Sequence, residues 1–594
     1  AAARPRRHPP RPDRARGVGW GQRLRRHFGP GMLLALIAAA EYGSPWRTGG
    51  RVATFALAAI LTAGFIRQSL RHFRLAVKIS AVVKSRTFEL ALSAAAIALL
   101  ASKAVVWARE LADPALSGAL DAAYRQYAAA FLVVAALRVV AGDFSVRRLF
   151  YRLDLQPAQT VALGFGGAIV AGAILLSLPV SVSRIEDLSL LDALFTATSA
   201  VTVTGLAVYD PATALTATGQ VILLVLIQLG GLGTMVVSAS LVVLAGRRLR
   251  LHRATALREA MDVETVGQVR TQVKGILALT AACEAGGALL LFLLWRNRPE
   301  VEAPLSAALF HSVSAFCNAG FSVFSSNLAA FRDDAATCAV IAALIVVGGL
   351  GFPVLRGGLP RIAAIALRRR APRLSLHARL ALLTTVLLLA AGTLGMLLLE
   401  WGGALAPLTW PARLSVASFL SVTARTAGFN TVPIADLTPA ALWLLMLLMF
   451  IGGSPGSTAG GVKTTTAATM VASLRATLGG RPRVEALRRT IPDEQVAKAL
   501  ALVGVSAALV AGGGLALLAT QAADASALAF EAVSAFGTVG LSLGVTPLLD
   551  NVGKAVLMVL MFAGRTGPLT LGFALAARRS DSGITYPNEK IMLG

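Results

Sequence analysis

Four segments of this chain align without a gap: SAVTVTGLAV (199–208), SAFCNAGFSV (314–323), VTARTAGFNT (422–431) and SAFGTVGLSL (534–543). They place Gly205, Gly320, Gly428 and Gly540 in one column, with successive glycines roughly 110 residues apart, a period that marks a repeat architecture. Each hairpin follows a short semi-polar stretch of about ten residues: 192–201, 307–316, 412–422 and 528–536. A helix of that length reaches only ~15 Å, half of a ~30 Å hydrocarbon core. A second column recurs in the apolar stretch after each hairpin: QLGGLGT (228–234), VGGLGFP (347–353), IGGSPGS (451–457) and AGRTGPL (563–569).

Composition sets these repeats in a membrane. Of 594 residues, 56% are hydrophobic and only 14% charged, against ~25% in soluble domains. Apolar blocks long enough to span recur almost throughout. A single soluble enzyme and a disordered chain are excluded. The net charge of +26 would suggest nucleic acid on a soluble protein, but the Lys and Arg lie in links between apolar blocks and read as positive-inside signals, with no nucleic-acid partner. Cys283, Cys317 and Cys338 are too widely spaced for a disulfide framework or a metal site.

Charge alternation orients the chain. Residues 1–30 are basic and Pro-rich and read as a cytosolic tail rather than a signal peptide. Up to four apolar blocks occupy 31–150. The link 67–87 is basic, 109–124 is acidic, and Arg147, Arg148 and Arg152 are basic again. The later links 246–274, 356–379 and 475–498 are also basic. This pattern predicts a multi-pass protein of the cytoplasmic membrane, with both termini cytosolic.

The expected fold is all-α and polytopic. Four helix–pore-loop–helix repeats (155–246, 271–358, 376–474 and 495–578) surround one pore, after extra N-terminal helices and before a cytosolic C-terminus at 579–594. Non-helical hairpins at membrane depth must be buried in protein or line a wet path. Four of them around an axis would present rings of backbone carbonyls able to replace an ion's hydration shell. Glycine suits such a loop because it tolerates φ > 0 and leaves the lumen clear. The candidate ion ligands are Val203, Thr204, Gly205 and Leu206; Asn318, Ala319, Gly320 and Phe321; Thr426, Ala427, Gly428 and Phe429; and Thr538, Val539, Gly540 and Leu541. Thr204, Asn318, Thr426 and Thr538 are expected to brace the loops. The C-terminal dipole ends of the short helices would favour a cation.

The third repeat has a second peculiarity. A straight helix over 441–474 would be ~50 Å long, too long for the bilayer core. Six helix breakers interrupt it within ten residues: Gly452, Gly453, Pro455, Gly456, Gly460 and Gly461. The stretch also holds Ser454, Ser457, Thr458 and Ala459, and Lys463 follows. Arg565 lies mid-way in the last apolar helix, where an arginine must face the protein interior. His311 and Glu531 share a column nine residues before their glycines and would satisfy pore-helix contacts or shape the outer vestibule. Arg425 is expected to point away from the axis. Glu284 is expected to have a partner.

These residues resemble the Trk/Ktr/HKT superfamily of potassium transporters, in particular its TrkH/KtrB-type membrane subunits. The resemblance covers about three quarters of the chain. It rests on the four single-glycine hairpins, FIGGSPGSTAGGVKTTT (450–466), FAGRTGPLTL (562–571) and ITYPNEKIMLG (584–594). It implies K⁺ as the transported ion, four glycines in a potassium-conducting pattern, and a homodimer in membrane lipid. It also implies an intramembrane gate at 452–461 with Lys463 and Arg565 beside it. A cytosolic ring of RCK-type subunits would supply the only nucleotide, and Na⁺ or H⁺ coupling stays open. Two other readings remain: a polytopic membrane enzyme, for which no HExxH or acidic cluster is present, and a secondary carrier, which would show twofold similarity.

Overall fold

The computed structural model describes residues 157–567, apart from 179, 184–188, 246–265 and 371–372. The basic tail, the helices expected at 31–150, residues 568–578 of the fourth repeat and the C-terminus at 579–594 lie outside the described residues.

Each repeat is built the same way. A long apolar helix comes first: α1 Pro157–Leu176, α4 Val266–Trp295, α8 Leu376–Leu399 and α12 Asp493–Thr520. Val273–Trp295, Leu376–Leu399 and Asp493–Thr520 are long and apolar enough to cross a membrane. Their outward faces carry exposed apolar side chains, such as Val386, Leu387, Leu394 and Leu398 on α8, as lipid contact requires.

A short helix follows: α2 Leu190–Thr202, α5 Pro304–Cys317, α9 Trp410–Thr423 and α13 Ala525–Gly537. These run 13 or 14 residues, somewhat longer than the sequence suggests, yet at ~20 Å they still fall short of a bilayer. Local chemistry starts them. Ser189 and Asp192 form a capping box on α2, and Asp524 caps α13. Pro304 and Pro411 occupy first-turn positions of α5 and α9, where a missing N–H costs nothing.

The third helix of each repeat begins after the hairpin: α3 Ala217–Ala245, α6 Ala335–Leu350, α10 Pro439–Phe450 and α14 Asn551–Thr566. In the second repeat α6 is succeeded by α7 (Phe352–Ala366), and in the third α10 is succeeded by α11 (Thr464–Leu478). The link between the third and fourth repeats holds a small departure from an all-α chain: β1 (Glu485–Ala486) pairs antiparallel with β2 (Arg489–Thr490). Leu487 and Arg488 at its turn have positive φ, as a tight hairpin of this hand demands.

The repeats close on themselves. α3 packs on α4 and α5, α6 on α9, α10 on α13, and α14 on α2. The third helix of every repeat thus meets the short helix of the next, and the fourth repeat returns to the first. Two apolar clusters cement the turn: one joins α8–α10 to Phe530, Val539 and Leu541, the other joins α12–α14 to Phe195 and Leu206. Each repeat also clasps the end of its first helix to the start of its third by its own means. Thr216 N–H and Oγ1 reach the Ser181 and Val180 carbonyls. Arg298 pairs with Asp334, Glu400 accepts from Thr438 N–H and Oγ1, and Gln521 donates to Asp550.

Candidate ion pathway

The hairpins leave the short helices through a left-handed residue. Val203, Asn318 and Thr538 cap α2, α5 and α13 with φ of 57, 61 and 52°. Two N–H groups then turn back onto the helix end in each. Val203 and Thr204 donate to Ala200 and Ser199, Asn318 and Ala319 to Ala315 and Ser314, and Thr538 and Val539 to Ala535 and Ser534. This is the hydrogen-bond pattern of a Schellman end, but with β-branched Val and Thr where glycine is usual. Such residues in the left-handed region cost about 1–3 kcal/mol each and persist at functional sites. The third repeat differs: α9 continues with a turn through Ala424, and the left-handed residue is Thr426, φ 73°.

The glycine two residues on is left-handed in all four, with φ of 94, 69, 77 and 93° for Gly205, Gly320, Gly428 and Gly540. Left-handed and ordinary residues therefore alternate along each strand. The N–H side is tied to the helix. Among the described residues, the carbonyls of 203–205, 318–320, 426–428 and 538–540 accept no hydrogen bond. Buried carbonyls without a donor are rare, and they are the ligand type that hard monovalent cations take.

The four strands form one ring. A Cβ on Gly205 would run into the Ala319 carbonyl; one on Gly320 would meet the Ala427 oxygen at 2.6 Å; one on Gly428 would meet the Val539 oxygen at 2.5 Å; one on Gly540 would run into the Thr204 carbonyl. The order is cyclic and returns to its start. Each glycine is needed twice, for its φ and for the backbone of the next repeat.

Hydroxyls brace the ring, though from an unexpected column. Ser199 and Ser534 Oγ accept from Gly205 and Gly540 N–H at 3.0 and 3.1 Å. Ser314 and Thr423 donate to the Phe321 and Phe429 carbonyls at 2.8 and 2.6 Å. Of the residues expected to brace, Asn318 lies 3.3 Å from Thr426 Oγ1, and Thr204 meets Thr202 at 2.8 Å. Thr538 departs from expectation: among the described residues its hydroxyl has no partner. The signal for the true braces was present, since Ser199, Ser314 and Ser534 share one column of the sequence.

The second glycine column packs against the same helix ends. A Cβ on Gly230, Gly348 or Gly564 would strike the carbonyl of Val201, Phe316 or Phe536, four residues before each ring glycine. In the third repeat the helix breaks there instead. Residues 451–463 are irregular between α10 and α11. Their neck is pinched by Gly452 N–H to Val462 O (2.9 Å) and Val462 N–H to Phe450 O (3.2 Å). The loop lies against the left-handed residues of three repeats: Thr458 Oγ1 at 3.2 Å from the Asn318 amide, Gly452 beside the Thr426 methyl, and Gly460 against the Thr538 hydroxyl. Ser454 Oγ pairs with Thr464 Oγ1 at 3.0 Å, and Ala459 N–H with Ser457 Oγ.

Arginine completes the circle. Arg565 stands where the other repeats have Gly231, Gly349 and Gly453. It is buried and donates to the Thr458 carbonyl of the loop and the Gly230 carbonyl of the first repeat. Lys463 Nζ folds back on the Ala459 and Gly460 carbonyls (2.6 and 3.3 Å). Arg425 is buried and donates to the Gly452 carbonyl of the loop at 3.2 Å.

The remaining polar residues are struts. His311 Nε2 meets Ser322 Oγ at 2.9 Å, and Glu531 accepts from Ser542, Thr546 and the Leu543 N–H. Both link the short helix to the strand leaving the ring, at matching positions. Glu284 is buried with Gln228 (3.2 Å) and Cys317 (3.8 Å), a pairing that no sequence pattern announced because three helices contribute to it.

Four pseudo-symmetric helix–loop–helix units closed around a ring of bare carbonyls define a membrane protein of the cation-path class. The chain belongs to the TrkH cation transport protein family, whose model matches residues 168–582. It is 39% identical over 440 residues to the Ktr system potassium uptake protein B of Bacillus subtilis, covering 74% of this chain and 97% of that protein. It is 37% identical over 450 residues to the potassium/sodium uptake protein NtpJ of Enterococcus hirae, covering 75% and 98%. The crystal structure of the potassium transporter TrkH from Vibrio parahaemolyticus has the same fold, with a TM-score of 0.58 at 20% identity, covering 83% of this chain and 97% of that one. Membership in a transport family sets aside the enzyme reading.

Proposed function

We propose that this chain takes up K⁺ across the cytoplasmic membrane, with the four-glycine ring as its selectivity filter. One observation carries the reading: twelve undonated carbonyls on four strands whose glycines touch in cyclic order. Each N–H of the strand that is held by a helix end or a Ser hydroxyl leaves its carbonyls free to replace water around a dehydrated ion. The short helices direct their negative dipole ends to the same place. The kinship to potassium uptake proteins of the Ktr type supports the choice of ion.

The loop 452–461 is the gate, with Lys463 and Arg565 as its cationic partners. It lies against three of the four filter strands, and the Arg565 guanidinium adds a positive charge that opposes a cation. As the family resemblance implies, the protein works as a homodimer with an RCK-type cytosolic ring, which supplies nucleotide control. Both termini are cytosolic. Flow through the filter is either channel-like or coupled to Na⁺ or H⁺.

The test is ⁸⁶Rb⁺ uptake into proteoliposomes, with K⁺, Na⁺ and Li⁺ as competitors. K⁺ should compete and Li⁺ should not. Gly205→Ser should raise relative Na⁺ uptake, because a side chain and an extra oxygen enter the ring. Unchanged discrimination in that variant would remove Gly205 from the filter.

A further inference from the structure

Beyond its own repeat, the loop 451–463 is held chiefly by the second. Ser454 N–H donates to Gly349 O at 2.9 Å, Thr458 N–H to Gly348 O at 3.3 Å, and Phe352 N–H to Gly456 O at 3.1 Å. All three bonds converge on the elbow between α6 and α7. There the chain turns through 108° at Gly351, whose φ is +80°. A Cβ on Gly351 would fall 2.8 Å from the Gly456 carbonyl carbon, so the two backbones are in contact. The loop cannot move far without breaking these bonds or taking the elbow with it.

α7 is an unusual continuation. It runs nearly across the direction of α6 instead of extending it. Val354 is buried against Ala378 and Ala381 at the start of α8. Leu359 and Ile365, with Leu367 just beyond, are 48, 59 and 65% exposed. Arg356 and the run Arg368–Arg370 are exposed around them. Exposed apolar residues rimmed by arginine, on a helix turned out of the span direction, have the form of a helix that lies in a membrane interface. The arginines complement the negative surface of a cytoplasmic leaflet.

We propose that α7 is a membrane-surface lever whose partner is anionic phospholipid. Headgroups on Arg356 and Arg368–Arg370 pin α7, and through the elbow they hold the loop in its obstructing position. The proposal rests on the gate reading above. A cytosolic protein on the same face is the competing occupant; exposed Leu and Ile beside arginine favour lipid, which satisfies both at once.

The test uses the full chain in vesicles of phosphatidylcholine, with or without about 30% phosphatidylglycerol. A nitroxide at Ile365→Cys, in a Cys283→Ser background, should be more accessible to oxygen than to a water-soluble quencher, and more so with phosphatidylglycerol. ⁸⁶Rb⁺ flux of the parent should fall by about threefold or more with the anionic lipid. Arg368→Gln/Arg369→Gln/Arg370→Gln should abolish that fall while K⁺ competition is unchanged. A protein lacking 455–459 should show the same nitroxide signal but flux indifferent to lipid. Parent flux indifferent to phosphatidylglycerol, a triple variant that responds as the parent does, or a response seen only with added cytosolic protein would overturn the proposal. If the loop deletion fails to raise flux while the lipid response persists, the gate reading falls and the lipid surface stands.

Discussion

The ring of Gly205, Gly320, Gly428 and Gly540 and the loop 452–461 both depend on glycine, yet they are held in opposite ways. In the ring, each strand is fixed locally, by N–H groups folded onto its own short helix and by a hydroxyl from that helix. The loop has bonds of its own at the neck, but it is also seated by bonds from elsewhere: Gly348, Gly349 and Phe352 of the second repeat, and Arg565 of the fourth. Local bonds make a rigid element, and distant ones make an element that moves when its neighbours move. The proposed filter calls for the first property and the proposed gate for the second.

The largest effect tests the rigid side of this contrast. Gly320→Ala puts a Cβ 2.6 Å from the Ala427 oxygen and 2.9 Å from the Gly428 Cα, at a φ of +69°. Backbone crowds it on that side, so relief must come from the strand itself. Flux of ⁸⁶Rb⁺ should fall by about 100-fold, since a left-handed alanine alone costs ~1–3 kcal/mol before the overlap is counted. Near-normal flux and selectivity would show that the ring is not tight.

Next comes the movable side. Arg565→Gln removes charge-assisted hydrogen bonds worth ~1.5–3 kcal/mol each to the closed arrangement, so flux should rise about tenfold with K⁺ preference unchanged. Arg425→Gln frees the loop at its neck alone and should raise flux by less. If either variant altered ion preference instead of rate, filter and gate would not be separable elements.

A smaller effect is expected at a brace. Ser199→Ala leaves the Gly205 N–H without its acceptor, at a cost of ~1–3 kcal/mol if it stays dry. K⁺ over Na⁺ discrimination should drop by roughly fivefold, with Ser534→Ala behaving alike. The smallest concerns the closure of the cycle. Lys554 and Asp192 pair at 2.7 Å between the fourth and first repeats, largely shielded from solvent. Asp192→Asn should lower thermal stability in detergent by no more than ~1 kcal/mol, and less at high salt. A change in flux there would mean that the ring senses its rim.

Much of this was legible in the sequence. Repeat number, short helices, ring glycines and the broken third helix all follow from periodicity and from the mismatch between segment length and bilayer thickness. Arg565 is buried, as a cation at membrane depth must be, but it stands in the last turn of α14 and not mid-way along the last helix. Bracing was misassigned in part: Thr538 lies in the loop but donates to nothing, whereas Ser199, Ser314 and Ser534 sit one turn back where the helix end brings hydroxyl and loop backbone together.

What the sequence determined by itself was local and repeated: each glycine column, each cap and each length is readable because the interaction lies within a few residues or recurs four times. Tertiary structure decided what joins unlike parts. It set the cyclic order in which one glycine faces the next carbonyl, the seat of the loop on the elbow at Gly351, the reach of Arg565 from the fourth repeat to the first and third, and the meeting of Glu284 with Gln228 and Cys317. Those contacts span up to several hundred residues and occur once. No period announces them, and only the packing of the whole chain brings their atoms within a few ångströms.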